Sequence, residues 1–85
     1  MKLEGKQFEG LKFVELQKVE GYLGKFKQED GSLEFYDILY FAVYVDLKDQ
    51  ILEFFPVFES DLAEGFLNGF TSSNYTGVTK LEYLQ

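Results

Sequence analysis

LEFYDILYFAVYVD (Leu33–Asp46) is the stretch on which the fold turns. Aromatic and β-branched side chains dominate it, and such residues fit a pleated surface better than a helix. Read at period two, Leu39, Phe41, Val43 and Val45 share one face, while Tyr36, Ile38, Tyr40, Ala42 and Tyr44 share the other. Both faces are apolar. The pattern predicts one long strand that is buried on both sides, curls through a small barrel, or presents its tyrosines as a contact surface.

Upstream of it, Tyr22–Gln28 alternates cleanly, with Leu23, Lys25 and Lys27 on one side and Tyr22, Gly24 and Phe26 on the other. Glu29-Asp30-Gly31-Ser32 then supplies an Asp-Gly turn, so these two runs read as a hairpin. An earlier strand is expected over Leu11–Val19, with a bulge where Phe13 and Val14 adjoin and a break at Gly21. A further short strand near Leu3–Phe8 fits in front of it.

Downstream, Leu47-Lys48-Asp49-Gln50 reads as a turn and Ile51–Phe58 as a strand whose Pro56 requires an edge or a bulge. Ser60 is a natural N-cap, with Asp61 and Glu64 following where the helix dipole favours anions. Leu62, Ala63, Phe66, Leu67 and Phe70 then recur at helical spacing, and Asn68-Gly69 signals the stop. Thr71–Thr76 reads as a polar loop and Gly77–Leu84 as a final strand. The expected class is mainly β, a β-rich α+β chain in the order β-β-β-β-α-β. It would form a small antiparallel meander or a five-stranded SH3-like or OB-like barrel with one short helix, or a curved sheet with the helix on one face.

Residues 1–85 read as one domain, uninterrupted by repeat or linker. The ten Phe and six Tyr supply a core without help from disulfides, for there is no cysteine. The longest apolar run, Ile38–Val45, falls far short of the ~20 residues that span a bilayer as a helix. With no signal-peptide pattern at the start, a soluble cytoplasmic protein without a membrane role is expected. Asn74-Tyr75-Thr76 matches a glycosylation sequon that such a location leaves idle.

The chain lacks His and Cys, so Ser-His and Cys-His nucleophiles are ruled out, and Ser32, Ser60, Ser72 and Ser73 all sit at predicted turns or caps. Carboxylates are abundant, but around Asp46, Asp49 and Glu53, and around Glu59, Asp61 and Glu64, solvation and capping account for them. The alternation of Asp30, Ser32 and Glu34 echoes part of a calcium loop, yet its oxygen donors do not continue into Phe35–Phe41. No enzyme, cofactor or metal is therefore expected.

Net charge is −7 and unevenly placed: residues 1–27 hold six Lys and four Glu, whereas residues 28–85 hold two Lys and eleven acids. A field of that sign steers in basic partners. The leading expectation is a non-enzymatic acidic module that binds a protein with a basic surface, with Glu34, Tyr36, Asp37, Tyr40, Tyr44, Asp46, Asp49 and Glu53 as contact residues. Such carboxylates can stand in for spaced phosphates, which suits an inhibitor of a nucleic-acid-binding host protein. An equally plain reading is that low pI keeps an aromatic-rich chain in solution.

Two alternatives stand beside it. One is a single-stranded nucleic-acid binder that stacks bases on Tyr36, Tyr40 and Tyr44 with Lys25 and Lys27 beside them, against which the net charge and the absence of Arg weigh. The other is a structural subunit acting only as an oligomer, such as a homodimer joined through a sheet edge.

Phe8-Glu9-Gly10-Leu11-Lys12-Phe13, followed by Glu29-Asp30-Gly31-Ser32, resembles small β-proteins carried by Gram-positive conjugative elements, over less than a quarter of the chain. Lys without Arg, among many Phe, Tyr, Glu and Asp, is similar to the usage of AT-rich Firmicute genomes and their phages. The resemblance implies a phage or mobile-element origin and names no function.

Overall fold

Leu33–Asp46 is strand at both ends but not one strand. In a computed structural model that describes residues 9–65 and 69–85, it breaks at Ile38 and Leu39 into β3 (Leu33–Asp37) and β4 (Tyr40–Asp46). Before these come β1 (Leu11–Lys18) and β2 (Tyr22–Lys27), and after them β5 (Leu52–Val57), helix α1 (Glu59–Glu64) and β6 (Tyr75–Lys80). The six strands form two antiparallel three-stranded sheets, β1-β4-β5 and β3-β2-β6. The chain is mainly β, as expected, but the barrel is not closed and one more strand precedes the helix.

The two sheets share one long hairpin with a corner in it. Lys18 pairs with Tyr40 on one side of the corner and Leu23 with Asp37 on the other. Between them, the Val19 N–H donates to the Leu39 carbonyl at 3.3 Å and the Ile38 N–H to that of Tyr22 at 3.0 Å. Four residues (19–22) on the first arm thus oppose two (38 and 39) on the second. Gly21, at φ +79°, takes up this surplus in a conformation few side chains tolerate. A straight strand would have needed equal arms, which explains why period-two reading alone placed Tyr36 on the same surface as Tyr40 and Tyr44.

The corner gathers the core. Ala42, Tyr44 and Val57 form one buried cluster, with Leu16, Phe55, Leu62 and Phe70 packed on it; Phe26, Ile38 and Phe58 form another, flanked by Tyr22, Phe41 and Tyr75. Edge-on ring contacts knit each, with Phe26 to Phe58 at 5.4 Å and Tyr44 to Phe55 at 5.3 Å between centroids. Phe58 is 4% exposed and lies directly against Gly24 of β2 and Gly69, where added Cβ atoms would overlap its ring.

Other expectations hold in outline. The ladder slips between Phe13 and Glu15, which is the anticipated bulge. Gly31 turns the β2–β3 hairpin at φ +87°, and Asp30 accepts the Ser32 N–H at 2.8 Å there. Asp46 accepts the N–H groups of Lys48 and Asp49 in the β4–β5 turn, and Pro56 sits on an edge strand.

The helix differs. It starts after Phe58 instead of Ser60, because the Asp61 carboxylate, 0% exposed, reaches back to the Phe58 N–H at 2.9 Å and fixes the first turn there. It stops at Gly65, whose left-handed backbone (φ 79°) donates its N–H to the Asp61 carbonyl at 2.8 Å. The expected helical contribution of Phe66 and Leu67 and the stop at Asn68 lie outside the described residues, as does the strand near Leu3–Phe8; Gly69–Thr71, with Phe70, forms a 3₁₀ turn. The last strand runs over Tyr75–Lys80, and Leu81–Leu84 closes in a 3₁₀ turn. Among the described residues, no helix is long and apolar enough to cross a membrane.

Candidate functional site: a groove beside strand β3

The corner leaves β3 with β2 on one side and, among the described residues, no strand on the other. All five of its residues are exposed, including Leu33 (47%), Phe35 (37%) and Tyr36 (51%). Alternation against β2 sets their sides: Glu34 and Tyr36 lie opposite Phe26 and Gly24 on the inner face, whereas Leu33, Phe35 and Asp37 lie opposite Lys27, Lys25 and Leu23 on the outer face.

Beyond the free side of β3 runs an open groove of about 1040 Å³. Phe26, Leu39 and Phe58 give it an apolar floor, β3 at Phe35 and Tyr36 one wall, and Ala63 of α1 part of the other, while Gln28, Ser60, Ser72 and Asn74 add uncharged polar lining. Its charges are Glu34, Asp37 and Glu59, and none of the described residues lining it is basic. The volume is at the top of the ~300–1,000 Å³ range of ordinary ligand pockets.

Tyr36 is fixed in this wall by two contacts. Its ring meets Phe26 edge-on at 5.3 Å, and its hydroxyl donates to Glu34 Oε2 at 2.5 Å. That hydrogen bond, with the nearby negative charge, holds the phenol above its ordinary ionisation range and keeps it a donor. Glu34 is thereby held at the rim as the acceptor. Opposite, Asp61 joins the start of α1 to the loop after it by accepting the Gly69 N–H at 2.8 Å as well as that of Phe58. One buried carboxylate thus organises the far wall.

Of the residues selected from sequence, the structure brings Glu34, Tyr36 and Asp37 together in this groove. Asp46, Asp49 and Glu53 gather at the β4–β5 hairpin of the other sheet, where Asp46 is engaged in closing the turn. Tyr40 packs on the first core cluster, and Tyr44 is 9% exposed within it, its phenol pushed above the ordinary range by burial. Tyr36, Tyr40 and Tyr44 therefore share no exposed surface. Lys25 and Lys27 stand in the groove's own sheet, on its outer face, opposite Phe35 and Leu33.

Sequence reading missed Phe35, Glu59 and Ala63 as site residues. No motif marks them; they become a site only because the corner at Ile38 and Leu39 turns β3 toward the helix.

No protein-family model, curated protein or solved structure matches this chain.

Proposed function

We propose that this chain is a non-enzymatic binding module that receives a basic segment of another protein in the groove beside β3. The observation that supports this most directly is the groove's composition: an apolar floor with a rim of Glu34, Asp37 and Glu59 and no basic residue among the described lining. Apolar contact supplies affinity in such a site, and the rim selects the sign of the partner and speeds its approach. The excess of acids over residues 28–85 extends the same field beyond the groove. The lack of His, Cys and Arg removes most side chains that catalysis or phosphate recognition would use. Occupying a basic surface is also how such a module would keep a nucleic-acid-binding protein from its nucleic acid.

Selection from a random-sequence displayed peptide library on the full chain tests this. Recovered peptides should be enriched in Lys and Arg, weaken as salt rises, and fail to bind a Glu34→Lys/Asp37→Lys/Glu59→Lys variant. Recovered peptides without basic enrichment, or ones that bind the variant equally well, would refute it. Tight binding of a single-stranded oligonucleotide that survives the triple reversal would favour the base-stacking alternative instead.

A further inference from the structure

We infer that the partner enters this groove as an extended strand and adds to the free edge of β3. The inference rests on the groove being the binding site, and its ground is the state of the backbone there.

Two hydrogen-bonded pairs bracket β3: the Gln28 N–H donates to the Ser32 carbonyl at 2.8 Å at the turn, and the Ile38 N–H to that of Tyr22 at 3.0 Å at the corner. Antiparallel ladders alternate, so Glu34 and Tyr36 direct their backbone groups toward β2, opposite Phe26 and Gly24. Leu33, Phe35 and Asp37 consequently direct their N–H and carbonyl groups away from the sheet, into the groove side, and none of them meets a backbone partner there among the described residues. Three residues at alternate positions thus offer one ladder edge to an incoming chain.

Edge strands usually carry a device against such pairing: a Lys, a Pro or a bulge. The other edges here do. β1 carries the bulge at Phe13–Glu15 together with Lys12 and Lys18; β5 carries Pro56; and β6 is irregular opposite Lys25 and Phe26, where Gly77 stands at φ +135°. β3 has no Lys, Pro or bulge, and the charged guard that it does carry is its pair of acids, Glu34 and Asp37. Its two carboxylates choose the occupant. Pairing with β3 of a second copy would bring four acids and no base into one ladder, whereas a segment bearing Lys or Arg would neutralise them. Strand addition by an extended basic peptide, with main-chain bonds for affinity and alternate side chains on the groove floor, satisfies both the edge and the rim.

Residue-resolved amide exchange on ¹⁵N-labelled full-length protein, with and without a short synthetic peptide of alternating lysine and valine, tests this. At about ten times Kd, exchange proceeds only from the free fraction, so the N–H groups of Leu33, Phe35 and Asp37 should slow about tenfold, while those of Glu34 and Tyr36, already bonded to β2, change little. Phe35→Pro removes an outward N–H without touching the β2 ladder; with an unchanged circular-dichroism spectrum it should abolish that protection and weaken binding about tenfold or more. Binding that depends on Glu34, Asp37 and Glu59 but leaves those three N–H groups unprotected would overturn strand addition and leave the basic-segment reading standing. No binding at millimolar peptide would overturn both. A concentration-dependent dimer of the peptide-free protein that protects the same three groups would replace the foreign strand with a second copy and overturn the proposal.

Discussion

Gly24→Ala tests the packing on which the groove floor depends. Gly24 lies mid-strand in β2, between Tyr36 of β3 and Val78 of β6, and an added Cβ would overlap the Cζ and Cε1 atoms of Phe58. The ring has little freedom to withdraw, because it is 4% exposed, touches Phe26 and also rests on Gly69. Forcing a methyl into such a site costs about 1–3 kcal/mol if the ring shifts. Complete loss of its packing costs about 3–5 kcal/mol. Lower unfolded-state entropy returns about 0.4–1 kcal/mol. A net loss of about 2–3 kcal/mol follows, which lowers the melting temperature of a domain this size by about 10–20 °C. Thermal and urea unfolding followed by circular dichroism measure it. Phe58→Leu should partly rescue Gly24→Ala, since leucine has no atoms where the ring's far edge lies, so the double variant should be more stable than the two single losses added together. A melting temperature within about 3 °C of the parent, or strict additivity of the pair, would refute the close approach.

Two further predictions concern stability. Asp61→Ala strips the acceptor from the buried N–H of Phe58 and the half-buried N–H of Gly69 and should cost about 2–4 kcal/mol by urea unfolding; a loss below about 1 kcal/mol would deny Asp61 its organising role. Burial raises the ionisation of Tyr44 and Tyr75 above the ordinary tyrosine value, so their contribution is complete below pH ~10 and is lost as pH climbs through that value and their raised folded values. The melting temperature should fall through that alkaline window, less steeply in a Tyr44→Phe/Tyr75→Phe variant, and an identical decline in both proteins would exclude these two groups as its cause.

Short-range chemistry in this sequence was readable and its three-dimensional direction was not. The Asp30-Gly31 turn, the bulge after Phe13 and the edge position of Pro56 each depend on residues within a few positions of one another, and each appears where the sequence places it. The corner depends instead on a mismatch between two distant segments, the four residues 19–22 against the two residues 38 and 39. Period-two alternation is blind to such a count, so it assigned Tyr36, Tyr40 and Tyr44 to one face, whereas Tyr36 lies in one sheet and Tyr40 and Tyr44 in the other. The helix start failed for a related reason. Ser60 is the better cap by local preference, but Asp61 can bond both Phe58 and Gly69 once the loop returns, and the tertiary bond decides. Part of the site survived this, because Glu34, Tyr36 and Asp37 belong to a single strand and move together.

The groove and the corner have one origin. β5 pairs with β4 as far as Val57 opposite Tyr40, and the Leu39 N–H bonds the Val57 carbonyl at 2.9 Å as the last link. That bond already departs by one residue from the Tyr40–Val57 register; had residues 58–62 run on as a strand alongside β3, its free edge would be covered. The chain enters α1 at that point, because Asp61 bonds the Phe58 N–H and commits the next residues to helical backbone. Residues that would have filled the ladder become the opposite wall, with Glu59 added to the rim. The bond that starts the helix is therefore also the one that keeps β3 open. Asp61→Asn retains one acceptor oxygen of the two, so it should keep the fold better than Asp61→Ala while loosening either the helix start or the Gly69 loop. If the two walls act as one site, affinity for the lysine-valine peptide should decline with the loss of helix-start protection at Phe58. Unaltered affinity in a folded variant that has lost that protection would mean the partner grips β3 alone, without the helix.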